Sequence, residues 1–138
     1  SNFYGRGQLK HRLIPKILMC IKNNLKFPIH GNGLTKRDFI FDEDFNDAFY
    51  KVLKMGKVGK IYHFSTNSYV SIKNIIEIIC KSKNVNFTDF VYKASERKGK
   101  DKYYFLDCSK TSKELKWKPK NSLMEGLNKT IKYYDKEL

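Results

Sequence analysis

Apolar residues recur at Leu9, Leu13, Ile14, Ile17, Leu18 and Ile21, the three-and-four spacing of one helix face. Pro15 interrupts that run, so the helix is predicted to start near Leu13, with the proline in its first turn. Phe27-Pro28-Ile29-His30 reads as a short extended piece, ended by a Gly31-Asn32-Gly33 turn. Arg37 to Phe41 reads as the next strand. Asp42 is placed to cap a helix over about Glu43 to Lys54, with Phe45, Ala48, Phe49, Val52 and Leu53 as its inward face. Gly56 and Gly59 bracket a turn, and Lys60 to Ser65 has the composition of a strand. After the polar loop Thr66-Asn67-Ser68, Ser71 caps a helix whose apolar set is Ile72, Ile75, Ile76, Ile79 and Cys80. Phe87 to Tyr92 and Tyr103 to Leu106 read as two further strands, separated by a charged loop over Ala94 to Lys102. A short helix over Lys110 to Leu115 stops at Trp117-Lys118-Pro119. Ser122 caps a last helix with Leu123, Leu127, Ile131 and Tyr134 inward.

Short strands alternating with helices indicate an α/β domain occupying residues 1–138 as one unit. With 41% hydrophobic residues there is enough apolar surface to offset chain entropy, which argues against disorder. The formal charge of +14 raises nucleic acid as a partner. Against that stands the rarity of arginine: only Arg6, Arg12, Arg37 and Arg97 could make the bidentate contacts nucleic-acid readers favour. The lysines are scattered, as on a solvated surface. Cys20, Cys80 and Cys108 lie far apart and show no zinc spacing; Cys20 and Cys80, in apolar helical runs, are expected to be core thiols, and a reducing cytoplasm fits. No apolar run is long enough to span a membrane. The start at Ser1, without Met or leader, reads as a piece of a longer protein.

Three places carry candidate chemistry. Arg37 follows a tight glycine turn and could meet a diphosphate bidentately; an ion pair with Asp38 or a nearby helix acid is the other reading. The loop Glu96-Arg97-Lys98-Gly99-Lys100-Asp101 sets three basic residues round a glycine that lets backbone approach a ligand, or is a solvated turn. His30, beside Phe27-Pro28-Ile29, could pack on a nucleobase or simply finish an edge strand. His11 and His63 lack metal-type spacing. Asp42, Glu43, Asp44 and Asp47 fit the positive start of a helix better than a catalytic pair. Trp117 with Pro119 reads as a packing anchor. No Gly-x-x-Gly-x-x-Gly dinucleotide turn, nucleophile elbow or P-loop occurs, and Tyr50 with Lys54 sits on a packing helix.

Six segments in order resemble one family. They are Asn2-Phe3-Tyr4-Gly5, Leu13-Ile14-Pro15, Phe27 to Gly33, Arg37-Asp38-Phe39, Arg97-Lys98-Gly99-Lys100-Asp101 through Tyr104 and Asp107, and Leu115-Lys116-Trp117-Lys118-Pro119 with Gly126-Leu127. Together they resemble the carboxy-terminal half of extended short-chain dehydrogenases of the NAD-dependent epimerase/dehydratase type, above all the dTDP-glucose 4,6-dehydratases. The resemblance implies the substrate-binding part of an extended Rossmann-type nucleotide-sugar enzyme, without its amino-terminal dinucleotide-binding sheet. It implies that Asn2 touches substrate near the pyrophosphate and sugar, and that Arg12 and Leu13 line the nucleotide. Pro28, Ile29 and His30 would meet the base. Arg37 and Arg97 would bind the diphosphate, with Glu96, Gly99 and Lys100 around them.

The same resemblance implies that NAD and the catalytic Tyr-Lys pair belong to the other half, that the ligand is a nucleoside diphosphate sugar, and that the parent is a homodimer. No catalytic residue, cofactor contact or metal ligand is assigned to this chain. Departures from the dehydratase pattern are Phe3 for a second Asn, Arg12 for Lys, His30 for Tyr, Ile72 for Asn, and Lys98 and Lys100 for Pro and His. They leave a 4-epimerase or a decarboxylase as alternatives within the family. A basic nucleic-acid-binding module is the alternative of another class.

Overall fold

The computed structural model describes residues 1–96, 99, 101 and 103–138. Its elements run β1 (Asn2–Tyr4), α1 (Leu13–Lys22), β2 (Phe27–His30), a 3-10 turn (Gly31–Gly33), β3 (Lys36–Phe41), α2 (Asp42–Met55), β4 (Tyr69–Ser71), α3 (Ile72–Ser82), α4 (Phe87–Phe90), β5 (Val91–Ala94), α5 (Ser109–Leu115) and α6 (Leu123–Glu137). Strand β3 lies between β1, which is parallel to it (Asn2 opposite Phe39, Tyr4 opposite Phe41), and antiparallel β4 (Arg37 opposite Val70). A separate parallel pair joins β2 and β5, with Phe27 opposite Val91 and His30 opposite Ala94.

The alternation of β3 feeds two cores. Phe39 and Phe41 enter the main core with Tyr4, Ile14, Ile17, Ile75, Ile79, Leu127 and Ile131. Ile40, on the other face of the strand, joins a smaller core with Ala48, Leu115 and Trp117. Trp117 is 1% exposed and meets the Phe64 ring edge-on at 5.2 Å, so the expected anchor is there. Helices α1 and α3 end alike: Asn24 and Asn84 adopt left-handed φ of 53°. The amides of Leu25 and Val85 then reach back to the carbonyls of Cys20 and Cys80, satisfying groups the helix leaves open. Helix α6 opens with a full capping box between Ser122 and Glu125.

Several expectations are corrected. Residues 60–65 and 103–106 form no strand. Strand composition needs a ladder partner, and none of the described residues supplies one. Residues 87–92 divide into the single turn α4, capped by Asn86, and the start of β5. Strand β4 was not anticipated; its three residues are too few to show alternation. Asp42 is not the cap of α2, because Phe41 holds that position. The Asp42 carboxylate instead accepts from the Arg6 amide, Nε and Nη2. On α2, Ala48 is buried and Phe45 and Val52 are partly covered, while Phe49 and Leu53 stand in solvent.

Candidate functional site

A cleft of about 460 Å³ opens between β1, the start of α1, β2 and β3. It draws on segments far apart in sequence, and its wall combines apolar surface with Arg12, Lys16 and Arg37. Among the described residues no Asp or Glu side chain lines it, so these side chains present net positive charge to whatever enters.

Each wall residue is placed by local geometry. Asn2 lies on β1, and its Nδ2 donates to the Asp38 carbonyl at 3.2 Å, which ties the strand start to β3. Asp38 itself is buried on β3, where its carboxylate accepts from the Thr66 amide at 3.0 Å and from the Thr66 and Ser1 hydroxyls. Arg12 sits at the cap position of α1, one turn before Lys16, so both point toward the same side. Leu13, Pro28 and Ile29 supply the apolar lining.

His30 ends β2, and its Nδ1 lies 2.6 Å from the Ser95 carbonyl. A carbonyl only accepts, so Nδ1 carries the proton of this bond. Gly31 and Gly33 make the following turn with φ of 55° and 70°. A Cβ at Gly33 would lie 2.6 Å from Ile29 Cδ1 and 3.0 Å from the Lys73 amide, so glycine lets α3 pack directly behind this wall.

Arg37 is half-buried at the start of β3, and the structure does not leave it free as the turn suggested. Its Nη1 donates to the Lys36 carbonyl and its Nη2 to the Asp101 carbonyl, each at 2.7 Å. Those bonds draw the far loop up to the cleft mouth and hold the guanidinium in place. Glu96 lies against the Gly31 turn, where a Cβ on Gly31 would be 2.9 Å from its Oε1. Gly99 is exposed with φ of 75°. Neither Glu96 nor Gly99 lines the cleft. Arg97 and Lys100 lie outside the described residues.

The structure thus brings Asn2, Arg12, Leu13, Pro28, Ile29, His30 and Arg37 to one cleft. Sequence reasoning missed Gln8, His11 and Lys16 as wall residues. Lys16 could have been found from its four-residue spacing to Arg12, whereas Gln8 and His11 sit in an irregular segment without periodicity. Behind the cleft, the Tyr4 hydroxyl has its pKa raised, by burial first and then by the nearby Asp44 and Asp42 carboxylates, so it is a neutral structural donor to the Leu123 carbonyl. Among the described residues no group of three His, Cys, Asp or Glu side chains is arranged to hold a metal ion.

A family profile described as GDP-mannose 4,6 dehydratase matches residues 1–130. The chain belongs to this family. It is 37% identical over 142 residues to human dTDP-D-glucose 4,6-dehydratase, covering 97% of this chain and 39% of the relative. It is 33% identical over 144 residues to dTDP-glucose 4,6-dehydratase of Haemophilus influenzae, covering 97% and 43%. Among solved structures, dTDP-glucose 4,6-dehydratase of Bacillus anthracis in complex with NAD superposes with a TM-score of 0.90 at 29% identity. That match covers 99% of this chain and 43% of the other. The Streptomyces venezuelae dTDP-glucose 4,6-dehydratase DesIV, also solved with NAD, gives 0.92 at 29% identity over 98% and 42%. The chain therefore spans about two fifths of the length of these relatives. It corresponds to the carboxy-terminal part of a Rossmann-type dehydratase.

Proposed function

We propose that this chain is the nucleotide-sugar-binding part of an NAD-dependent sugar-nucleotide 4,6-dehydratase. The observation that carries the reading is the cleft: among the described residues it is lined by Arg12, Lys16 and Arg37 and by no carboxylate, with an apolar and aromatic wall beside them. A nucleoside diphosphate sugar has the matching parts, an anionic centre and a flat base. In this reading Arg37 and Arg12 meet the diphosphate, Pro28, Ile29 and His30 meet the base, and Asn2 lies toward the sugar. The same reading gives Arg97, Glu96, Gly99 and Lys100 to the diphosphate end of the ligand, Arg97 and Lys100 lying outside the described residues.

The chain's own residues do not build a dinucleotide site. Strand β1 is followed by Gly5-Arg6-Gly7 and an irregular segment, not by a Gly-x-x-Gly-x-x-Gly turn into a helix. NAD, which oxidises and re-reduces the sugar in such an enzyme, would be held by the remainder of the protein. What this chain contributes is binding and orientation of the substrate. A homodimeric, cytoplasmic parent belongs to the same proposal; the three thiols, all free, fit a reducing compartment.

Calorimetric titration with dTDP, UDP, CDP and GDP tests the reading. One diphosphate should bind in preference to inorganic pyrophosphate, and Arg37→Ala and Arg12→Ala should each weaken it about 10- to 100-fold, as loss of a charge-assisted bond implies. Binding of single-stranded DNA or RNA that falls steeply with salt, with no diphosphate bound, would replace it with the nucleic-acid reading.

A further inference from the structure

We propose that Tyr134, near the end of α6, is a positioning residue for the cleft: its hydroxyl holds Gln8, and Gln8 sets the segment that carries His11 and Arg12. The role rests on the ligand reading for the identity of the anion, and on the fold alone for its geometry.

Between the end of β1 at Tyr4 and the start of α1 at Leu13 the chain forms neither helix nor strand. Yet Gln8, His11 and Arg12 of this stretch all line the cleft. A stretch without a ladder or a helix has little of its own to offset the entropy of being ordered. Its backbone closes one turn, from the Arg12 amide to the Leu9 carbonyl at 2.9 Å. Its place is set instead by side chains.

At the start of the stretch, the Arg6 amide and guanidinium donate to the buried Asp42 carboxylate. A Cβ on Gly5 would fall 2.5 Å from Asp42 Oδ2, so the chain wraps closely on that acid. In the middle, Gln8 Nε2 donates to the Phe3 carbonyl at 2.6 Å and folds the stretch back on β1. The Gln8 carbonyl in turn accepts from the Tyr134 hydroxyl at 2.6 Å, across 126 positions of sequence. Tyr134 is 5% exposed, belongs to the main core and meets the Tyr133 ring edge-on at 5.2 Å. A ring packed in this way is already fixed, so its hydroxyl is a rigid peg for the passing backbone. Burial pushes the phenol pKa upward, which keeps the donated proton in place.

Arg12 therefore stands between two constraints. On one side is α1, seated in the main core by Ile14 and Ile17. On the other, four residues back, is the pegged Gln8. Without the peg the helix stays and the approach to it loosens. Fewer molecules then hold Arg12 and His11 in the binding arrangement, and apparent affinity falls with that fraction.

Two hydroxyl deletions on α6 separate positioning from stability. Tyr134→Phe removes the peg. Thr130→Val removes a buried hydroxyl that donates within the helix, to the Gly126 carbonyl at 2.7 Å, and that makes no bond to the stretch. Both should lower the urea midpoint by about the effect of one lost hydrogen bond. Proton–nitrogen NMR of the ligand-free chain reads the positioning: the Gln8 side-chain amide should exchange about tenfold faster in Tyr134→Phe than in wild type or Thr130→Val. Calorimetric titration with dTDP, UDP, CDP and GDP reads its consequence: the diphosphate that binds wild type should bind Tyr134→Phe about fivefold more weakly and Thr130→Val equally well. Gln8 exchange unchanged in Tyr134→Phe would overturn the proposal, whatever binds. So would equal affinity in all three proteins, or equal weakening by Thr130→Val, which would reduce Tyr134 to its share of stability. A wild type that binds none of the four, with Gln8 loosened only by Tyr134→Phe, would overturn the ligand reading and uphold the positioning of the stretch.

Discussion

Gly126 offers a sharp test of how the main core is packed. It lies inside α6, where replacing glycine by alanine ordinarily stabilises a helix by about 1 kcal/mol. Here an added Cβ would fall 2.1 Å from the Tyr4 hydroxyl oxygen, 2.9 Å from Tyr4 Cζ and 3.0 Å from Phe41 Cδ2. Both rings are 1% exposed, so neither can swing into solvent. Reaching ordinary contact requires a shift of roughly 1.3 Å between α6 and the β1–β3 layer, and forcing such a shift in a close-packed interior costs about 3 kcal/mol. Gly126→Ala is therefore expected to destabilise by about 2 kcal/mol net, the clash outweighing the propensity gain. Urea unfolding followed by far-ultraviolet circular dichroism reads this as a lower midpoint at unchanged slope.

Tyr4→Phe removes the nearest atom along with one hydrogen bond, at a cost of about 1 kcal/mol by itself. The double variant should be about 1 kcal/mol more stable than the two single changes add up to, because they relieve one contact. A Gly126→Ala protein as stable as wild type, or more so, would refute the close approach of α6 to Tyr4.

Two further outcomes follow from buried polar groups. Asp44 is 2% exposed, and its carboxylate accepts from the Lys120 amide, the Asn121 amide and Asn121 Nδ2. Asp44→Ala orphans those donors and should cost about 2–4 kcal/mol, while Asp44→Asn, which keeps one acceptor, should cost about half; equal midpoints for all three proteins would show that the 120–121 loop is held otherwise. Cys80 is buried, which pushes its thiol up to about 11 from the ordinary 9.0, with the Glu77 carboxylate adding to the rise. Between those values the unfolded chain loses the proton while the folded one keeps it, so this contribution is intact below pH 9 and falls as pH rises toward 11. The difference in stability between wild type and Cys80→Ala should shrink across that window, and a difference independent of pH would show that the thiol titrates alike in both states.

The helices of this protein were legible in its sequence because their determinants are local. Apolar spacing marked α1 and α3, Ser71 and Ser122 marked two starts, and Trp117 marked a stop, each within a turn or two of chain. The family could also be read locally, since its short segments keep their order. Strands were legible only where a partner exists. Residues 37–41 and 60–65 read alike, but among the described residues only the first has neighbours to pair with, and a lone strand gains no ladder to offset its ordering entropy. The face of α2 failed for a related reason: periodicity shows that a stripe is apolar, not whether anything covers it.

The cleft belongs wholly to tertiary structure. Asn2, Arg12, His30 and Arg37 come from four segments whose meeting depends on the β1–β3 pairing and on α1 packing across it. The bonds that hold Arg37 to Asp101 and His30 to Ser95 span more than sixty positions of sequence. No window of residues encodes such separations; they arise when burial of Phe39, Phe41, Ile14 and Ile75 in one core draws the segments together. The sequence by itself determined which residues carry charge and which prefer a helix, and the packing of that core decided which of them share a site.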